Sequence, residues 1–331
     1  MQPLPFAAPD RNTIRAARGA KSAVDARRPV AQWDEWEIEA PGRAVATRVL
    51  LLVGAECRFS CTMCDLWKHT LDRPTQLGDL PEQIGFGLSA PWNLAERAEV
   101  STQRWIKLYN SSNFFDAHNV PTDDLAEIAS MLGSFDRVIV ENHPRLISDN
   151  IRNFRNRLAG RLEVAMGLET IHPQLLAWLN KKMTVTDFAH ACQTLASMDV
   201  ELRSFVLLGL PGLTRTESIH WCLESLRFAK SNRVRHCSVI PMRAKDGILL
   251  QLEKEGHFLN VDAFMLEQVM EKALQDGIQI VTADMWDWGK MRGHCDVCRG
   301  ARGERLETMN LQQKIVERPH FNCRCVALMD E

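Results

Sequence analysis

Val49-Leu-Leu-Leu-Val-Gly-Ala-Glu-Cys57-Arg-Phe-Ser-Cys61-Thr-Met-Cys64 joins a short apolar run to a loop that carries three cysteines within eight residues. Residues 49–53 read as a buried strand that stops at Gly54. Three thiolates on one loop suit three corners of an iron-sulfur cube and leave the fourth iron open, whereas structural zinc takes four ligands, usually as two separated pairs. Two blander readings stand beside this one: cysteines buried as small hydrophobes, and zinc with a distant fourth ligand. A polar loop is poor core composition, which weighs against the first.

Outward from this loop, apolar runs alternate with helical patterns, the order of a parallel sheet with crossover helices. The predicted strands are 49–53, 105–109, 137–141, 162–168, 202–208 and 237–241, with another possible at 278–281. Helical spacing covers 122–132, 173–180, 186–198, 216–228 and 261–275, several with Thr, Ser or Asp near the start as a cap. Six such units predict an α/β fold, a partial (β/α)6 TIM-like barrel. We expect a basic amino-terminal arm over 1–45, the barrel over 46–285 and a small Cys-rich tail over 286–331.

The 331 residues are 45% hydrophobic, enough to bury a large core, and the formal net charge of -2 exerts no general pull on nucleic acid. Arg11, Arg15, Arg18, Lys21, Arg27 and Arg28 make the arm basic, first as a solvated helix face and second as an RNA contact. Trp33 and Trp36 are expected to anchor it. No segment approaches eighteen apolar residues, and Met1 to Asp10 lacks the order of a signal peptide. Of ten cysteines, seven fall in two tight clusters, while Cys192, Cys222 and Cys237 sit in apolar contexts. Bound metals in a reducing compartment fit this usage better than secretion, so the expectation is a cytoplasmic protein away from membranes.

In parallel barrels ligands bind at the carboxyl ends of the strands, and polar residues stand at nearly every such end here. Asn110 and Ser111, in Lys107-Leu-Tyr-Asn-Ser-Ser-Asn-Phe-Phe-Asp116, can receive an ammonium group, or cap a turn, or both. Glu141 and Glu169 are placed to accept the two hydroxyls of a ribose, Glu169 being preferred. Arg203 belongs with these candidates as a cofactor contact or, like Arg145, as the partner of either carboxylate in a salt bridge. His143 reads first as a capped loop histidine. The segment Phe205-Val-Leu-Leu-Gly-Leu-Pro-Gly212 permits close backbone approach to a ligand.

CxxxCxxC after a first strand, with the Gly167-Leu-Glu-Thr170 and Gly209-Leu-Pro-Gly212 segments, resembles the radical S-adenosylmethionine (SAM) superfamily, in the branch of the Elongator catalytic subunit and the tRNA methylthiotransferases. Within it, Cys61-Thr-Met-Cys64-Asp-Leu-Trp67, Lys107-Leu-Tyr-Asn-Ser111 and Cys323-Arg-Cys325 look most like the radical SAM partner of archaeosine synthase. The resemblance implies a [4Fe-4S] cluster on Cys57, Cys61 and Cys64 and SAM on its open iron. Asn110 and Ser111 would hold the SAM amino group. A 5'-deoxyadenosyl radical would take hydrogen from a substrate, in that family a lysine-bearing deazaguanine in tRNA. It also implies an external electron donor such as flavodoxin or ferredoxin, and a partner enzyme. Met63 departs from the pattern, since the family often has an aromatic residue there against the adenine. No stretch reads as the acetyltransferase of Elongator or the extra domains of methylthiotransferases, so neither reaction is expected. A small molecule or peptide is the rival substrate, and a non-enzymatic zinc and RNA-binding protein on a degenerate barrel is the rival class.

Cys295-Asp-Val-Cys298 and Cys323-Arg-Cys325 stand 24 residues apart and give four thiolates in two pairs. Zinc is the first reading, an auxiliary iron-sulfur cluster the second, paired core or redox cysteines the third. His294 and His320 are adjacent but redundant. Arg292, Arg299, Arg302, Arg305, Lys314, Arg318 and Arg324 make the surroundings basic, either an RNA-gripping surface or a solvated face diluted by Glu304, Glu307 and Glu317.

Overall fold

The computed structural model describes residues 3–97, 100–245, 247–323 and 325. In chain order the elements are α1 (Arg11–Ala16), β1 (Ala31–Ala40), β2 (Arg43–Leu51), α2 (Asp79–Ser89), β3 (Val100–Tyr109), α3 (Asp124–Met131), β4 (Arg137–Glu141), α4 (Asp149–Arg157), β5 (Arg161–Glu169), α5 (Pro173–Trp178), α6 (Val185–Ser197), β6 (Glu201–Leu208), α7 (Arg215–Ser231), β7 (His236–Pro241), α8 (Gly247–Lys254), α9 (Ala263–Gln275), β8 (Val281–Ala283) and α10 (Arg299–Gln312). The strands form one 8-stranded sheet in sequential order. β1 runs antiparallel to β2, and every later neighbour is parallel. Helix α10 touches β8 and also the β1–β2 hairpin, which requires the sheet to curl. The fold is a partial TIM-like barrel.

Side-chain alternation sorts each strand between two environments. On β3, Ile106 and Leu108 enter the main core with Val138, Val164, Met166 and the helices outside the sheet. Trp105 instead packs on Val45 and Ile139, with Tyr109 against them, on the inner face. That inner face also carries charge. Glu163, fully buried, accepts from Arg203 at 2.6 Å and from Arg137 and Arg235 at 2.7 Å. Glu37 pairs with Arg203 at 2.9 Å and with Lys107. Buried ions of this kind persist only when each charge is met, and here the pairs link β1, β3, β4, β5 and β6.

The predicted strands and helices all find counterparts, shifted by a few residues at their ends. β1 was not expected, because Ala31–Ala40 is acidic and belonged to the range read as an arm; it pairs as the edge of a hairpin closed at Gly42, whose φ is +78°. Helices α2, α4, α8 and α10 were also not expected. In α4 only Ile151 and Phe154 are buried, too few to print a helical stripe. Cys192, Cys222 and Cys237 do lie in the core. Trp36 donates to the Ala95 carbonyl, and Trp33 lies against Trp286 with ring centres 6.3 Å apart, a contact between the first strand and the segment after the last.

The arm is an ordered strap that includes the short helix α1, of which only Ile14 is buried. Phe6 packs edge-on against Trp178, whose indole donates to the Ala7 carbonyl at 3.1 Å. Arg15, Arg18 and Lys21 converge on Glu56, and Arg27 and Arg28 on Glu82. Among the described residues, no helix is long and apolar enough to cross a membrane.

Candidate active site and cysteine-rich tail

The cysteine loop leaves the carboxyl end of β2 and is held from three sides. Arg58 makes a two-pronged ion pair with Asp116 from the loop after β3. From the loop after α5, Asn180 donates to the Ser60 carbonyl at 2.8 Å, and Thr62 N–H donates to the Leu179 carbonyl at 3.0 Å. Met63 sits against the cluster of Trp178, Leu179 and Leu210. Cys57, Cys61 and Cys64 are all free and half-buried. Burial pushes the Cys61 thiol up to about 11 and Cys64 to about 12, with the Lys181 ammonium opposing it at Cys61. Asn113 donates to the Cys57 sulfur at 3.2 Å.

The other strand ends converge on this loop. Asn110 is fully buried, yet neither oxygen nor nitrogen of its amide has a hydrogen-bond partner among the described residues. The hydroxyls of Ser60, Ser111 and Ser112 and the amide of Asn119 share that state. Such a set of orphaned groups is costly unless a ligand or ordered water completes it. The Asn119 amide lies beside Gly54, where an added Cβ would stand 3.3 Å from the Asn119 carbonyl. Burial raises the Glu141 carboxyl to about 7, with the Lys181 ammonium opposing it.

Glu169 turns the end of β5 at φ +65° and pairs with Lys181 at 2.6 Å, both buried. Gly167 leaves the room for this pair: a Cβ there would be 1.9 Å from the Glu169 carboxylate and 2.5 Å from the Lys181 nitrogen. His143 stacks on Phe59 with ring centres 3.8 Å apart, and its Nε2 lies 2.9 Å from the Lys181 carbonyl. Burial, with Lys181 beside it, lowers its pKa to about 3, which leaves the ring neutral.

Asn110, Ser111, Glu141 and Glu169 thus gather at the carboxyl ends, whereas Arg203 does not. Arg203 lies early on β6, beside Ala165 and His236, and its charge is absorbed by Glu37 and Glu163. Neither salt bridge expected for the two site carboxylates forms as written, since Glu169 takes Lys181 and Arg145 donates to the Lys182 carbonyl. Lys181 carried no signal in the sequence. It lies twelve residues after Glu169, on a loop whose Asn180 and Lys182 are left-handed at φ +53° and +59°.

The loop and its surroundings fit an iron-sulfur cluster and a polar, zwitterionic cofactor. The three cysteines supply thiolates. The unpaired amides and hydroxyls supply donors and acceptors, and the Glu169–Lys181 pair supplies both signs of charge.

In the tail, the sulfurs of Cys295, Cys298, Cys323 and Cys325 all lie within 4.8 Å of one another. Cys295 and Cys298 are 3.9 Å apart, and the Cys295 N–H points to the Cys298 sulfur at 3.4 Å. His294 is taken by the Trp288 carbonyl at 2.8 Å. Most of the tail arginines read as an RNA grip are met by carboxylates: Arg299 by Asp296, Arg302 by Glu267, Arg305 and Arg318 by Glu271. Arg324 lies outside the described residues.

No protein-family model matches the chain. Archaeosine synthase subunit beta of Methanosarcina acetivorans is 22% identical over 317 residues, 91% of this chain and 88% of that protein. Among solved structures, methylornithine synthase covers 71% of this chain and 65% of its own at 12% identity and a TM-score of 0.49. The radical S-adenosylmethionine methyltransferase of Kitasatospora setae, solved with tryptophan and a SAM analogue, covers 58% and 36% at 16% identity and a TM-score of 0.41. The sequence likeness to archaeosine synthase subunit beta thus extends over nearly the whole chain.

Proposed function

We propose that this chain is a radical SAM enzyme that acts on a modified nucleoside in tRNA. The observation that carries the first half is the ring of buried, unpartnered amides and hydroxyls at Asn110, Ser111, Ser112 and Asn119 beside the three-cysteine loop. Cys57, Cys61 and Cys64 would ligate a [4Fe-4S] cluster, which together with SAM supplies reductive cleavage and hydrogen-atom abstraction from substrate. Asn110 and Ser111 offer acceptors for an ammonium group. Glu141 and Glu169 offer carboxylate oxygens to hydroxyls, and Lys181 offers a cation to a carboxylate. The Phe6–Trp178 contact of the strap and the Phe59–His143 stack add apolar cover that would help to exclude water.

The tRNA half rests on the archaeosine synthase relative, whose being a subunit also makes a partner enzyme part of the proposal, while reductive cleavage itself calls for an external electron donor. Ten free cysteines suit a reducing, cytoplasmic setting. Anaerobic reconstitution tests the chemistry: about four irons per chain bound through the loop, and 5'-deoxyadenosine after dithionite and SAM, are expected. Cys61→Ala should lose both. Cleavage retained in that variant would sink the assignment. tRNA bearing the lysine-substituted deazaguanine should be consumed in the same mixture; turnover of SAM without loss of that nucleoside would leave the radical chemistry standing and remove the substrate.

A further inference from the structure

The tail cysteines lie at one end of α10, and the far end of that helix does something unusual for a helix terminus. β8 has three residues and pairs with β7 alone, so its other edge is open to strands. Asn310 fills that edge as a strand would, accepting the Ala283 N–H at 2.8 Å and donating to the Ala283 carbonyl at 3.0 Å. Gln313 repeats the pattern on Val281, with both distances 2.8 Å. Between them, the Leu311 carbonyl accepts the Gly42 N–H of the β1–β2 turn at 2.9 Å. One helix end therefore closes the gap between the first and last strands. Glu307, Asn310 and Leu311 also form one wall of a cavity of about 530 Å³ on the inner face, with Lys107, Tyr109 and Arg203 opposite.

Little apolar burial holds α10 in place, since its buried residues are Arg302, Gly303, Arg305, Leu306 and Met309. Ion pairs from Arg302 to Glu267 and from Arg305 to Glu271 tie it to α9, and Cys298 sits at its amino-terminal cap. Four sulfurs on the corners of a zinc tetrahedron with bonds of about 2.3 Å stand about 3.8 Å apart. The observed 3.9 Å between Cys295 and Cys298, with all four sulfurs within 4.8 Å, matches that spacing. An iron-sulfur cube attaches each sulfur to a different iron and holds them farther apart. Four thiolates on one divalent ion leave negative charge, and Arg302 lines the same cavity as Cys298, Cys323 and Cys325 at the positive end of the helix.

We propose that Cys295, Cys298, Cys323 and Cys325 hold one zinc ion, and that this ion fixes α10 as the lock across the open side of the barrel. The inference stands independently of the substrate and of SAM chemistry. Its test is metal analysis of the full-length protein followed by hydrogen exchange read by mass spectrometry. About one zinc per chain is expected. Cys298→Ser should lose it, keep the iron bound by the barrel loop, and raise exchange at the Val281, Ala283 and Gly42 amides at least tenfold. The pair Asn310→Ala and Gln313→Ala should keep the zinc and raise exchange at Val281 and Ala283. Should Cys298→Ser fail to fold, zinc drawn from the wild-type protein by a mercurial reagent and a chromogenic chelator serves the same reading. Iron and labile sulfide in the tail, or zinc loss with unchanged exchange at the β8 edge, would overturn the proposal.

Discussion

Glu141 ends β4 with a carboxyl that burial raises to about 7. The folded protein therefore holds a proton that the unfolded chain releases above the ordinary carboxylate value of 4.5. Stability contributed by this group is complete below that value and is lost as pH rises through about 7, by roughly 3 kcal/mol in all. Glu141→Gln should flatten this part of the stability curve in ligand-free protein; urea unfolding at pH 5 and pH 8 measures it, and an unchanged slope would count against a protonated Glu141. Lys181 answers to a different penalty. Lys181→Met would leave the Glu169 carboxylate buried without its cation and should cost about 3–5 kcal/mol. Adding Glu169→Leu should recover much of that loss, read by thermal unfolding of the single and double variants. The cysteines of this site were legible because ligand spacing along a loop is local. Lys181 was not, because two left-handed residues and the packing of the α5 loop bring it back to Glu169.

Helix α10 buries two apolar side chains, Leu306 and Met309, each worth about 1.5–3 kcal/mol. A structural zinc, as proposed for the tail, would contribute on the order of 10 kcal/mol and so would outweigh this apolar packing as an anchor. At the other end, Asn310→Ala and Gln313→Ala each remove two hydrogen bonds from the β8 edge and should cost about 1–3 kcal/mol in denaturant unfolding. A cost near zero would mean that water replaces the amides freely. The helices read correctly from sequence were those with a stripe and a cap. α6 and α7 both open with reciprocal capping, Thr184 with Asp187 and Thr214 with Glu217. α4 and α10 left no such print, because arginines occupy positions that a stripe would fill. β1 was hidden for a related reason, as the carboxylates of an edge strand whose partners lie on β3 and β6.

Across the whole molecule, the inner face of the sheet joins strands by charge. Glu163 on β5 meets arginines from β4, β6 and the turn before β7, and these hold its carboxyl far below the usual range despite burial. Its stabilisation is present above the unfolded carboxylate value and fades as pH falls below it. Glu163→Gln leaves three guanidinium groups short of a counter-charge and should lower stability by about 3–5 kcal/mol, with a shallower loss on acidification than wild type. Unfolding monitored from pH 7 to pH 3 reads both. The strap adds a second long-range tie, with Trp178 bonded to Ala7 over 171 positions of chain.

Spacing of ligands, alternation of apolar residues and caps act over a few positions, and from them the barrel class, its parallel strands, the three-cysteine loop and the two cysteine pairs of the tail could be read. Pairings across long separations could not. Glu37 and Arg203 are 166 residues apart, and Asn310 reaches Ala283 over 27. Neither side chain names its partner, because a charge or an amide is complementary to many others. The curl of the sheet selects one by bringing it within hydrogen-bond reach and excluding water from the rest.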